Sequence, residues 1–286
     1  MKFAFVKEHR RSWPVVVICR VLKISRSGFY AWSKRRPCAR QVRQRQLLEK
    51  IRKAHEENRE LYGSPRVHRA LRIDGVIVCR NTVARLMRAA KIRAKTRRRY
   101  VPRTTDSTHS KPVAENVLDR DFAAAAPDRK WLADITYVPT DQGWLYLAGV
   151  LDAFSRKLVG WAMAGHMKVD LVGDALKMAL EHRQPDGDKL LHHSDRGSQY
   201  ASDDYQRILT GKGITVSMSG RGNCYDNAMM ESFWATLKTE LIHQQRYPTH
   251  ETARRSIFEY IEVFYNRKRL HSSLGYVSPE SFEAAA

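Results

Sequence analysis

A chain of 286 residues has room for about two domains, and a 43% hydrophobic content is enough for a packed core. No apolar run approaches the ~20 residues that span a bilayer, and the start around Phe3–Val6 is too short to read as a signal peptide. The four cysteines, Cys19, Cys38, Cys79 and Cys224, form no Cys-x-x-Cys pair. That excludes a zinc-finger or disulfide framework and fits reduced thiols in a cytoplasm. Charge is the sharper clue: residues 1–111 hold 31 Lys/Arg against 7 Asp/Glu, whereas residues 112–286 hold 20 against 23. A basic half joined to a near-neutral half indicates a polyanion-binding module attached to something else, and nucleic acid is the expected partner.

In chain order, Pro14–Lys23 reads as a short helix with proline in its first turn. Ile24–Gly28 reads as a turn and Gly28–Lys34 as a second helix. The pair fits either a helix-turn-helix or a plain helical hairpin. Residues 41–59 read as a charged connector helix with a narrow apolar stripe of Leu47, Leu48 and Ile51. A second helix-turn-helix candidate follows, with Pro65–Arg72, a turn at Asp74–Gly75, and Asn81–Ala90 with Asn81 as N-cap. On that last helix Val83, Leu86, Met87 and Ala90 share one face, while Arg80, Arg85 and Arg88 lie largely elsewhere. The basic run Lys91–Arg99, with Arg97, Arg98 and Arg99 at its end, extends the charge. Arginines backing an apolar stripe suit a helix set against DNA, because guanidinium bonds phosphate or a guanine edge. Residues 1–99 are therefore expected to be a basic, all-α region with helix-turn-helix-like DNA-binding units.

Residues 100–129 mix Pro, Thr, Ser and an alanine run and read as a linker. After residue 130 the period changes to that of strands: 130–138, 143–152 and 157–164, with hairpin turns at 141–143 and 153–156. An amphipathic helix over 169–183 would bury Leu171, Val172, Ala175, Leu176, Ala179 and Leu180. A strand at 189–193, a helix near 202–212, a strand near 214–218 and helices over about 225–242 and 249–266 complete the order. Three meandering strands followed by alternating helices and strands resemble the ribonuclease-H-like fold. The expected class is α/β, with that catalytic core over 130–245 and a C-terminal helix and basic tail over 246–286 packed on it.

Three carboxylates stand out by their settings. Asp134 is a lone charge on an otherwise buried-looking strand, beside Trp131, Leu132 and Ile135. An isolated buried carboxylate is unfavourable unless it is paired or binds a metal. Asp195 ends an apolar strand before Arg196–Gly197, and a turn aspartate is its bland alternative. Glu231 lies mid-helix, with Asn227 one turn before it and Lys238 almost two turns after it on the same face. This Asn-Glu-Lys stripe suits a metal and then a DNA phosphate, or simply solvent. Met230, Phe233, Trp234, Leu237 and Leu241 would form the core side. Hard divalent cations take oxygen ligands, and two-metal phosphoryl transfer needs a few converging carboxylates. Asp152 reads as a turn or supporting aspartate. The adjacent His192 and His193 point to opposite faces of a strand, which argues against a shared zinc ion. Ser194 lacks a nucleophile elbow, and Gly220–Cys224 reads as a loop leading to the Glu231 helix.

These residues resemble the DDE transposases of bacterial insertion sequences, in particular the OrfB product of the insertion-sequence-three family. Trp131-x-x-Asp134-Ile-Thr-Tyr137 looks like the first-Asp motif, and His193-Ser-Asp195-Arg-Gly-Ser-Gln-Tyr200 like the second. Gly222-Asn-Cys-Tyr-Asp-Asn-Ala-x-x-Glu231-Ser-Phe, with Lys238 seven residues on, looks like the Glu motif; 35 residues lie between Asp195 and Glu231. Tyr265-Asn-x-x-Arg269-x-His271-x-x-Leu274-Gly-x-x-x-Pro279 looks like the C-terminal signature. Leu61–His68 resembles the segment that opens the family's helix-turn-helix domain.

The resemblance implies a metal-dependent polynucleotidyl transferase acting on insertion-sequence ends. Asp134, Asp195 and Glu231 would hold two Mg²⁺ ions, with Mn²⁺ as an alternative. Lys238 and Asn227 would face DNA at the site, and Arg80, Arg85, Arg88, Arg97, Arg98 and Arg99 would bind flanking DNA. It also implies a bacterial cytoplasmic location, on the nucleoid when DNA-bound, a homo-multimer on DNA, no membrane, and an OrfA product as fusion or partner. Two alternatives stay open: a DNA-binding regulator or subunit that is silent without OrfA, and a ribonuclease-H-like nuclease that cuts without joining.

Overall fold

The computed structural model of the chain describes residues 2–95, 113–220 and 224–286. Three short helices open it: α1 (Lys2–His9), α2 (Val15–Val21) and α3 (Arg26–Lys34). They close on their own small core of Val6, Ile18, Cys19 and Phe29. Helix α1 leaves no signal in the sequence, since only Val6 is buried and no strong apolar stripe exists. The sequence pattern places the start of α3 two residues late. Ser25 caps that helix by accepting the Gly28 N–H at 3.2 Å, so the first turn forms around residues that look like a loop.

The connector helix α4 (Ala39–Glu57) leads to α5 (Ser64–Ile73) and α6 (Arg80–Ala89). Ile51 and Ala54 of α4, Val67 and Leu71 of α5, and Val83, Leu86 and Met87 of α6 are buried together. The expected cap at Asn81 is corrected: α6 begins at Arg80, Cys79 occupies the N-cap, and no side chain there accepts a capping bond.

Residues 113–129, expected as linker, are instead fixed to the sheet. Leu118 is buried, and Phe122 and Ala124 pack on the same core. The backbone N–H groups of Val117 and Leu118 both donate to Ser217 Oγ, at 3.0 and 3.1 Å. Met218 N–H donates to the Glu115 carbonyl at 3.3 Å. The segment thus covers the open edge of an outer strand, where unpaired backbone groups need partners.

That strand belongs to a sheet of β1 (Lys130–Thr140), β2 (Gly143–Asp152), β3 (Leu158–Ala164), β4 (Leu191–Ser194) and β5 (Thr215–Met218), in spatial order β3-β2-β1-β4-β5. The first three strands are antiparallel, and β4 and β5 run parallel to β1. This is the ribonuclease-H-like arrangement. Alternation splits the sheet residues between two cores. Trp131, Ala133, Ala148 and Val150 face α7 (Val169–Arg183) and α8 (Asp203–Thr210). Leu132, Leu145, Leu147 and Leu151 face α9 (Ala228–Glu240) and α10 (His250–Phe258). The bounds of α7 are those the periodicity predicts. Among the described residues no helix is long and apolar enough to cross a membrane.

After α10 the chain runs on through wider, π-type turns over Glu259–Tyr265 and ends in α11 (Pro279–Glu283), an element the sequence reading did not contain. The C-terminal signature lies in this segment and is a joint. Asn266 bonds both the N–H and the carbonyl of Leu158 on β3, each at 3.0 Å. Buried Arg269 donates to both carboxylate oxygens of Glu240 at the end of α9, at 2.7 and 2.8 Å. Tyr260 donates its hydroxyl to the same carboxylate at 2.7 Å, and Arg66 of α5 lies 3.6 Å from it. The Tyr62 hydroxyl accepts the Leu270 N–H at 2.9 Å. Burial, then Arg269 and Arg66, push His271 down to about 2, so its ring stays neutral beside the guanidinium.

Removing one partner of a buried ion pair strands the other charge. Glu240→Ala, which leaves Arg269 and Arg66 facing each other, is expected to cost about 3–5 kcal/mol in urea unfolding. A loss below about 1 kcal/mol, the scale of exposed pairs, would contradict this role.

Candidate active site

The register of the sheet builds the site. Ala133 on β1 pairs with Ser194 on β4, and this is the last paired step between the two parallel strands. Asp134 is the next residue of β1, and Asp195 is the first residue beyond β4. Neighbouring strands lie about 4.8 Å apart, so the two carboxylates emerge side by side on one face. β4 ends here because Asp195 Oδ1 accepts the Gly197 N–H at 2.9 Å and turns the chain.

Asp134 is fixed by two donors: the Ile135 N–H at 2.8 Å and the Trp234 indole N–H at 3.1 Å. Trp234 reaches it because Gly149, opposite Asp134 on β2, has no side chain. A Cβ there would stand 2.9 Å from the Trp234 ring. Burial and the negative charge of Asp195 push the Asp134 carboxyl far above the ordinary carboxylate range, against the pull of both N–H donors. Glu231 adds a weaker push in the same direction.

Glu231 was expected mid-helix but stands exposed in the first turn of α9, because residues 224–227 form a 3₁₀ turn before the helix begins. Partial burial raises its carboxyl. The structure therefore brings Asp134 and Asp195 together and leaves Glu231 at the rim. Among the described residues no three acidic, histidine or cysteine side chains converge tightly enough to hold one metal ion as they stand.

Asn227 is buried, and its amide donates to the carbonyl of Ala133 at 3.1 Å, tying the start of α9 to the residue before Asp134. Its own carbonyl oxygen is buried with no hydrogen-bond partner. The Lys238 ammonium lies 4.8 Å from the centre of the Tyr137 ring on β1. Arg80, Arg85 and Arg88 are exposed on α6, away from its buried face. Arg97, Arg98 and Arg99 lie outside the described residues.

Two neighbours escaped the sequence reading. Trp234 looks like plain core there, and an indole N–H partner leaves no trace in periodicity. Tyr200 ends the second-Asp motif; its hydroxyl is buried without a hydrogen-bond partner, and the charges of Asp134 and Asp195 reach it. Asp226 was also missed. It is buried and accepts from Asn116 at 3.0 Å, Arg120 at 3.1 Å and the Gly220 N–H at 2.8 Å, so it anchors the 113–120 segment.

Asp152 is the turn aspartate the sequence suggests, accepting the N–H groups of Phe154, Ser155 and Asp128 at 2.9, 3.1 and 2.7 Å. His192 and His193 do face opposite ways. His192 meets the Tyr205 hydroxyl at 3.0 Å, and His193 meets Ser217 and Ser219 at 2.9 and 3.2 Å. Burial pushes them down to about 3 and about 4, so both rings are neutral structural groups.

Family patterns for an integrase core domain match residues 124–224 and 212–279, and an HTH-like domain pattern matches residues 41–100. The transposase InsF for insertion sequence IS3A of Escherichia coli (strain K12) is 42% identical over 285 residues, covering 99% of this chain and 98% of the relative. An insertion element IS600 uncharacterized 31 kDa protein of Shigella sonnei is 46% identical over 265 residues, covering 93% and 97%. Among solved structures, the HTLV-2 integrase catalytic core domain in complex with magnesium superposes with a TM-score of 0.44 at 14% identity, covering 56% of this chain and 99% of that one. A simian T-cell lymphotropic virus intasome in complex with PP2A regulatory subunit B56 gamma gives 0.48 at 15%, covering 82% and 74%.

Fold and family pattern together define a polynucleotidyl transferase of the transposase–integrase class, joined to a helix-turn-helix-like region. Within that class the chain belongs to the transposase family of insertion sequence IS3.

The raised carboxyl of Asp134 has two opposing causes that substitution separates. Asp195→Asn removes a like charge and is expected to lower the Asp134 pKa. Trp234→Phe removes a donor to the carboxylate and is expected to raise it. Carboxyl ¹³C titration by NMR reads both shifts, and a wild-type Asp134 titrating near its unperturbed 3.8 would contradict the account.

Proposed function

We propose that the chain cleaves and joins DNA at the ends of an insertion sequence by DDE chemistry, with Asp134, Asp195 and Glu231 as its catalytic carboxylates. The carrying observation is the side-by-side placement of Asp134 and Asp195 at the paired end of β1 and β4. The donor set fits hard divalent cations: the ligating atoms are carboxylate oxygens, and the Asp134 carboxyl, whose ionisation burial and Asp195 oppose, lies beside the half-buried Asp195. The orphaned Asn227 carbonyl oxygen is a further neutral oxygen in the same corner. We assign two ions, Mg²⁺ or Mn²⁺, to the three carboxylates. Bound there, they would supply the charge that activates water or a DNA 3′-hydroxyl and stabilises the leaving 3′-oxygen.

The chain's own residues do the positioning. Trp234 orients Asp134, and Asn227 locks α9 to β1, a role we prefer for it over direct DNA contact. Glu231 rides on that same helix and completes the set when DNA enters. Lys238, whose ammonium lies over the Tyr137 ring, would meet a phosphate beside the scissile bond. Arg80, Arg85 and Arg88 on the open face of α6 would hold flanking phosphates, with the basic run after α6 extending the contact. Two element ends must be held at once for joining, so we propose a homo-multimer on DNA, working in the bacterial cytoplasm and on the nucleoid. A second reading has support in Glu231 standing apart from the two aspartates: the chain binds ends but cuts only once an OrfA partner or fusion closes the site.

Glu231→Gln removes a charge at an exposed position and should leave the fold and end binding intact while abolishing cleavage. Gel-shift and nicking assays on the same preparation separate the two. Near-normal nicking by this variant would overturn the assignment of Glu231.

A further inference from the structure

Residues 1–36 carry ten Lys/Arg against one acidic residue, Glu8, yet the matched HTH-like domain begins only at residue 41. The unit formed by α1–α3 has its own core. Its last two helices are joined across residues 22–25, as α5 and α6 are across the longer 74–79, and both first helices end in the same common left-handed exit. The chain leaves α2 with the Ile24 N–H bonded to the Cys19 carbonyl at 3.0 Å, and leaves α5 with the Val76 N–H bonded to the Leu71 carbonyl at 2.8 Å. Each exit turns through one left-handed residue, Lys23 at φ 52° and Gly75 at φ 74°. In each pair the following helix buries one side, Phe29 on α3 and Val83, Leu86 and Met87 on α6.

The other side of α3 is solvent-facing. Arg26, Tyr30 and Lys34 are exposed and spaced four apart, so they form one stripe, with Ser27 beside it. A groove of about 730 Å³ between α2 and α3 is lined by Arg20, Arg26, Ser27 and Tyr30. Arg20, Arg26 and Lys34 form no ion pair among the described residues. Nine residues of helix span about 14 Å, which suits a DNA major groove about 12 Å wide. The deep, narrow major groove of duplex RNA would exclude it.

We propose that α3 is a second DNA-reading helix. Arg26, Ser27 and Tyr30 face base edges in a major groove, while Arg20 and Lys34 hold flanking phosphates. The chain then grips each element terminus at two places, through α6 and through α3. This rests on the reading that the chain binds element ends.

The test uses the full chain and a labelled duplex carrying the terminus of its own element, with hydroxyl-radical footprinting and affinity measured over a salt series. Arg26→Glu and Tyr30→Ala alter α3, Arg85→Glu alters α6, and circular dichroism checks that each variant is folded. Lys34→Glu stands in for any α3 variant that fails to fold. The wild type is expected to protect two separated segments. The α3 variants should lose one of them with a roughly tenfold weaker affinity, and Arg85→Glu should lose the other. Loss of a phosphate contact at Lys34 should also lower the salt slope by about one. Unchanged protection and affinity in the folded α3 variants would overturn the inference while leaving end binding standing. Variants that keep both footprints but lose self-association would assign this face to protein contact and overturn it too. A wild type that protects no terminus would overturn the inference together with the proposed function.

Discussion

Two carboxylates side by side in a partly dry corner repel each other, and most of the architecture around the site resists that repulsion. The parallel pairing of β1 with β4 sets Asp134 and Asp195 in adjacent register. The Ile135 and Trp234 N–H groups stabilise the ionised form of Asp134, while burial and Asp195 oppose it. A site in this balance favours a multivalent cation, because a cation removes both the repulsion and the desolvation penalty at once.

Helix α9 serves as the beam on which the balance rests. Its start is tied to β1 by Asn227, its middle donates to Asp134 through Trp234, and its end presents Glu240 to Arg269, Tyr260 and Arg66. Arg66 belongs to α5, within the matched helix-turn-helix-like segment. The C-terminal signature thus joins the helix-turn-helix-like region to the far end of the helix that carries Glu231.

Much of this was legible in the sequence, and the limits were physical. Apolar, strand-forming runs located β1 and β2, which are buried on both faces, and the 3.6 period located α7, which buries one. Asp134 was legible as a lone charge on an otherwise apolar strand and Asp195 as the end of an apolar run, whereas Glu231 lay on a polar stripe of its helix. What failed was whatever depends on a distant partner. The Trp234–Asp134 bond spans 100 residues, and the room for it comes from a third element through Gly149. Asn227 fell on the expected polar stripe, but its amide turned inward to Ala133. Residues 113–129 had loop composition and still packed, since the edge of β5 supplied the hydrogen-bond partners that their own sequence does not announce.

We propose above all that the aspartates at the paired end of β1 and β4 make this chain a metal-dependent DNA-joining enzyme. The most direct measurement incubates the purified chain with a supercoiled plasmid carrying its element's ends, in Mg²⁺ or in EDTA, beside an Asp195→Asn control. The account predicts end-specific nicked and joined products that require both Mg²⁺ and Asp195. Products formed equally well in EDTA, or by the Asp195→Asn chain, would contradict it.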